Sequence, residues 1–89
     1  MHRVAETVRS THNDDGGVVL DIRQGQMFSL NLVGSTIVEL LKRGSCQSEI
    51  VDAVTNQFEI SRDVAEADVR EFIEALTRHR LVEQVDREG

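Results

Sequence analysis

Residues 17–31 read Gly-Val-Val-Leu-Asp-Ile-Arg-Gln-Gly-Gln-Met-Phe-Ser-Leu-Asn, and this stretch leaves the chain few choices. On a two-residue period it is two short strands joined by a turn and ending at a helix start. Val18, Leu20 and Ile22 share one face of the first strand, with Val19, Asp21 and Arg23 on the other. Phe28 and Leu30 are expected opposite Leu20 and Val18, which sends them to the core. Arg23-Gln24-Gly25 supplies the turn, with Gly25 where a left-handed residue closes a bulged hairpin. The returning strand, 27–30, is short and falls at a sheet edge in this order of elements. An open edge is either a liability or a docking site.

The flanking sequence fills in the order of elements. Weak alternation over 4–11 predicts a first strand, and Asn-Asp-Asp-Gly-Gly at 13–17 predicts the turn after it. Asn31 is a favoured N-cap, followed by Val33, Ile37, Leu40 and Leu41 on one helical face. Gly44 ends that helix, with Lys42 and Arg43 suiting its last turn. Ser45 or Cys46 opens a second helix buried through Ile50, Val54 and Phe58. After a turn at Glu59-Ile60-Ser61, Ser61 caps a third helix that runs to about Thr77 or His79. Ala65, Val69, Phe72, Ile73 and Leu76 fall on one side of it. Leu81, Val82 and Val85 form a last extended piece, and 86–89 a frayed tail. The prediction is α+β: a three-stranded antiparallel sheet followed by three helices, in one domain over 1–89 with its core at about 4–85.

Several functional classes are excluded or weakened by what the chain contains. A formal charge of −6 disfavours nonspecific attraction to nucleic acid or anionic lipid. With no tryptophan or tyrosine, platforms for stacking bases are poor. The single cysteine, Cys46, forms no internal disulfide and fits a reducing compartment. The N-terminal residues lack the apolar core of a signal peptide, and no apolar run approaches the ~20 residues of a membrane span. The expectation is a soluble cytoplasmic domain.

Catalytic and metal chemistry find little to work with. His2, His12 and His79 have no histidine or cysteine at a ligand spacing, so no metal site and no cofactor are expected. Ser10, Thr11, His12 and Asp14 gather a nucleophile, a base and an acid, but in a polar turn where such residues are common for turn chemistry. No catalytic residues are assigned. Cys46 is expected to be an ordinary half-buried side chain.

The third helix carries Asp63, Glu66, Asp68, Glu71 and Glu74 against Arg62 and Arg70. One reading is a solvated face; the other is an acidic rim that draws a basic segment of a partner. The second and third helices also have the look of a helix-turn-helix, which makes a winged-helix DNA-binding regulator the alternative function. Five acids facing phosphate oppose it.

The run Gly25-Gln-Met-Phe-Ser-Leu-Asn31, then Ile37-Val-Glu-Leu-Leu41 and Gly44, then Glu49-Ile50, then Asp68-Val69, Phe72, Leu76 and Leu81-Val82 resembles the PqqD family, also called RiPP recognition elements. The pieces come in the family's order and spacing over roughly residues 4–85. The resemblance implies a winged-helix-like, non-catalytic module that binds the leader of a ribosomally made precursor peptide and delivers it to modifying enzymes. It implies that the leader adds as a strand beside Met27, Phe28, Ser29 and Leu30 and lies against the third helix at Asp68, Val69, Phe72 and Leu76. The partners it implies are a leader protease and a cyclase of a lasso-peptide pathway, with a radical-SAM enzyme of pyrroloquinoline quinone synthesis as the runner-up. The same edge leaves pairing into a homodimer open. Three positions depart from the family pattern: Met27 stands where an aromatic residue is usual, Cys46 where threonine is, and Arg80 where glycine is. A left-handed Arg80 costs about 1–2 kcal/mol.

Overall fold

Turn chemistry at Asp21 decides the sheet. In the computed structural model, which describes residues 2–84, Asp21 is 2% exposed. Its carboxylate accepts hydrogen bonds from the backbone N–H groups of Arg23 (3.0 Å) and Gln24 (3.3 Å) and from the Gln24 side-chain amide. The Gly25 N–H donates to the Asp21 carbonyl at 2.8 Å, with Gly25 left-handed at φ 68° as the sequence requires. These bonds compensate the burial of a carboxylate and fix a four-residue loop between β3 (Gly16–Asp21) and β4 (Gln26–Leu30).

With the loop fixed, the register follows: Asp21 lies opposite Gln26, Val19 opposite Phe28 and Gly17 opposite Leu30. The core face of β3 is therefore the Val19–Asp21 face. This corrects the expectation from apolar count. Leu20 and Ile22 are exposed on the outer side, and Met27 sits there opposite Leu20. Phe28 and Leu30 still pack against the core, but through Val19 and Gly17 rather than Leu20 and Val18.

β2 (Val8–Asn13) pairs antiparallel with the other side of β3, giving the sheet order β2-β3-β4. The expected single strand over 4–11 is in fact two pieces, broken at 5–7. The first, β1 (His2–Val4), leaves the sheet and pairs antiparallel with β5 (Val82–Gln84), and the Ala5 N–H bonds to the Leu81 carbonyl. Val82 takes the extended conformation expected of it; Val85 and 86–89 lie outside the described residues.

The Ile22 N–H donates to the Thr7 carbonyl at 3.0 Å, and that bond reveals which backbone groups are free. In an antiparallel ladder, backbone groups alternate in direction from one residue to the next. Leu20 and Val18 therefore point their N–H and C=O groups toward β2, while Asp21, Val19 and Gly17 point theirs toward β4. Across the register, Gln26, Phe28 and Leu30 bond back to β3. Met27 and Ser29 turn theirs outward, along an edge with no neighbouring strand among the described residues.

Three helices follow: the first packs on the inner face of the sheet, the second on the first and the third on the second. α1 (Leu32–Lys42) starts at Asn31, whose side chain accepts from the Gly34 N–H at 2.8 Å, and ends at Gly44. α2 (Gln47–Phe58) has Cys46, not Ser45, as its N-cap; the Glu49 carboxylate reaches back to the Cys46 N–H at 2.9 Å. Cys46 is exposed rather than half-buried. α3 (Arg62–Arg78) starts at Ser61, whose hydroxyl accepts from the Val64 N–H. Ile37, Val38 and Leu41, then Ile50, Val51 and Val54, then Ala65, Val69, Ile73 and Leu76 close the core with Val8, Val19, Leu81 and Val82.

Arg80 terminates α3 in the left-handed conformation, φ 61°. Its N–H bonds to the Thr77 carbonyl at 3.0 Å, and the Leu81 N–H bonds to the Leu76 carbonyl at 2.9 Å, the paired bonds of a Schellman ending. Replacing Arg80 with glycine removes the steric penalty against a smaller entropic cost, so Arg80→Gly is expected to raise stability by roughly 0.5–1 kcal/mol. Thermal unfolding checks this: the midpoint rises by several degrees. The amide directions in β4 are checked by a pair of proline variants. Ser29→Pro removes an outward N–H and leaves the ladder whole, whereas Phe28→Pro removes a ladder bond and is expected to cost about 3 kcal/mol or more in denaturant unfolding.

Candidate functional site

The edge of β4 does not face open water on every side. The hairpin leans on the end of α3, where the rings of Phe28 and His79 stand 5.1 Å apart and the Gln24 side chain donates to the His79 carbonyl. From there the strand and α3 diverge, and a groove of about 720 Å³ opens between them. One wall is the strand exit, Ser29, Leu30 and Asn31. The floor is the first two turns of α1, Val33, Gly34 and Ile37. The far wall is α3 through Asp68, Glu71, Phe72, Glu74, Ala75 and Arg78.

Phe72 gives the groove its shape. Its ring is half-buried and lies so close to α1 that a Cβ on Gly34 would come within 3.1 Å of two ring atoms. Gly34 is the small residue this approach needs. The ring caps the core from the groove side and leaves one face as groove lining.

The charge of the groove is uneven. Three carboxylates, Asp68, Glu71 and Glu74, share the α3 wall with one guanidinium, Arg78. Arg78 lies toward the Phe28–His79 end. Asp68 is one helical turn from Phe72, toward the N-terminal end of α3. Arg62 is engaged elsewhere, paired with Asp52 of α2 and with Glu66 at 3.4 Å, and the two carboxylates hold its guanidinium above the ordinary arginine range.

Of the eight residues singled out from sequence, Ser29, Leu30, Asp68 and Phe72 come together in the groove. Phe28 stands at its end against His79. The Met27 side chain, 70% exposed, projects from the outer sheet face, while its backbone groups belong to the open edge. Val69 and Leu76 are buried in the core and do not line the groove. The sequence reading missed Asn31, Val33, Gly34, Ile37, Glu71, Glu74, Ala75 and Arg78. A signal for the α3 members was present: 68, 71, 72, 75 and 78 repeat at helical spacing, one step beside the core stripe 65, 69, 73 and 76.

Among the described residues no cluster of histidine, cysteine and carboxylate side chains suits a metal ion, and no helix is long and apolar enough to cross a membrane. The groove offers main-chain hydrogen bonds, an apolar floor and charged walls. That combination has the chemistry that suits an extended peptide.

Comparison with known proteins identifies the family and the fold. No curated protein sequence matches the chain. Two solved structures share its fold over nearly their whole length. TbiB1 in complex with the TbiA(beta) leader peptide is 36% identical, with a TM-score of 0.85, covering 96% of this chain and 99% of that one. A lasso peptide synthetase B1 complexed with the leader peptide is 25% identical, with a TM-score of 0.82, covering 93% and 98%. The sequence pattern of the family described as Coenzyme PQQ synthesis protein D (PqqD) matches residues 16–82. This chain belongs to the PqqD family.

Proposed function

We propose that the protein is a leader-peptide recognition module. It binds the leader segment of a ribosomally synthesised precursor as an added strand along β4 and presents the precursor to processing enzymes. The observation that carries this reading is the open edge at Met27 and Ser29 standing beside a groove floored by Val33 and Ile37. Main-chain bonds to Met27 and Ser29 supply affinity without regard to sequence, and the groove between β4 and α3 selects side chains. Phe28, Leu30 and Phe72 form the apolar contact surface, and Asp68 the polar one. Val69 and Leu76 hold the wall from behind.

The two relatives of known structure are each seen with a leader peptide, and one is a lasso peptide synthetase component. A lasso-peptide system is therefore the pathway we favour, with a leader protease and a cyclase as the enzymes served; a radical-SAM pathway such as pyrroloquinoline quinone synthesis comes next. The module itself performs no chemistry. Nothing in the fold favours a DNA-binding regulator: the helix that would enter the major groove presents carboxylates along its exposed face.

Titration of isotope-labelled protein with the leader of its own precursor tests the reading. Amide shifts are expected in 26–31, in the first turns of α1 and along 68–78 of α3. A saturating leader that leaves these residues unmoved overturns it. Ser29→Pro is expected to weaken the complex at least tenfold, about 1.4 kcal/mol, for the loss of an intermolecular hydrogen bond and its strand geometry.

A further inference from the structure

The edge accepts any peptide backbone, so discrimination has to come from the groove, and its most distinctive property is charge. Asp68 and Glu71 line the α3 wall next to the half-buried Phe72 ring. Among the described residues neither has an ion-pair partner. The cations of α3 are placed elsewhere. Arg62 is held by Asp52 and Glu66, Arg70 borders a different depression beside His2 and Gln47, and Arg78 lies at the other end of the groove. Position along the groove is fixed by two contacts. Phe28 against His79 places the body of β4 at the C-terminal end of α3, and Gly34 against Phe72 places the start of α1 near its middle. The carboxylates therefore flank the path of a bound strand where it passes Asn31 and the first turn of α1.

We propose that the groove selects leader segments that carry a lysine or arginine next to an apolar anchor. The anchor packs on Phe72, Val33 and Ala75, and the cation meets Asp68 and Glu71. Resting on the leader-binding reading above, this adds the charge class of the ligand. A single exposed ion pair contributes little, and two carboxylates around one cation contribute more through complementarity that rejects an acidic residue at the same place. Specificity here is mainly rejection: an acidic side chain between Asp68 and Glu71 meets like charge on both sides.

The test uses a displayed library of random-sequence peptides, selected in parallel on the full chain, on Ser29→Pro and on the double variant Asp68→Lys/Glu71→Lys. Both acids are exposed, so the double variant is expected to retain the fold, which its unfolding curve checks. Peptides captured by the parent chain and lost on Ser29→Pro are expected to share a lysine or arginine at a fixed spacing from an apolar residue. Replacing that cation by glutamate is expected to weaken binding about tenfold, and the double variant is expected to reverse the preference. Ser29-dependent binders with no cationic bias, or with a bias the double variant leaves unchanged, overturn the charge inference and leave the leader-binding reading standing. Recovery of no Ser29-dependent binder overturns both.

Discussion

The buried Asp21 carboxylate is the constraint on which the site depends. A carboxylate out of water is costly unless its oxygens are occupied, and here the turn of 22–25 occupies them with its own N–H groups and the Gln24 amide. Because side chains alternate faces, placing Asp21 inside sends Leu20 and Ile22 outside and brings Val19 in. The same choice sets the hydrogen-bonding phase of β3, hence of β4, and so determines that Met27 and Ser29 are the residues with free backbone groups. A slip of one residue would free Phe28 instead and carry its ring away from His79.

α3 serves two surfaces at once. Ala65, Val69, Ile73 and Leu76 form a stripe in the core, and Asp68, Phe72 and Ala75 form a second stripe one residue back, rotated by about 100°. The two are mechanically joined, since Phe72 belongs to the groove and also packs against the core cluster. A wall built this way is rigid, and a rigid wall costs less conformational entropy when a peptide orders against it.

The helices were legible because their signals are local. Asn31, Ser61 and Gly44 each do at their helix end what their chemistry suggests, and the apolar spacing identified the core stripes. The glycine in the hairpin was equally plain. What escaped the sequence is long-range. The break at 5–7 carries neither glycine nor proline, and β1 leaves the sheet only because β5, some eighty positions later, completes it. The inner face of β3 was misread because three apolar residues outvoted one aspartate whose partners lie in the following turn. A third of the groove lining was visible, as Ser29, Leu30, Asp68 and Phe72. The rest comes from the neighbours of Asp68 and Phe72 along α3 and from the start of α1, which only the folded chain brings beside α3.

An open edge beside an acidic helix also bears on self-association. Two copies pairing antiparallel through β4 would form one continuous sheet, with both α3 helices on the same face and one on each side of the seam. Asp68, Glu71 and Glu74 of each copy then face those of the other, in a chain already carrying six excess negative charges. Natural proteins protect exposed edges with charges that make self-pairing unfavourable. A short peptide strand added at that edge would bring no second acidic helix and so none of that repulsion. On the charge selection proposed above, the carboxylates that choose the ligand would also act against self-pairing, and the hairpin between Gly17 and Asn31 sets the edge at which both effects would be felt.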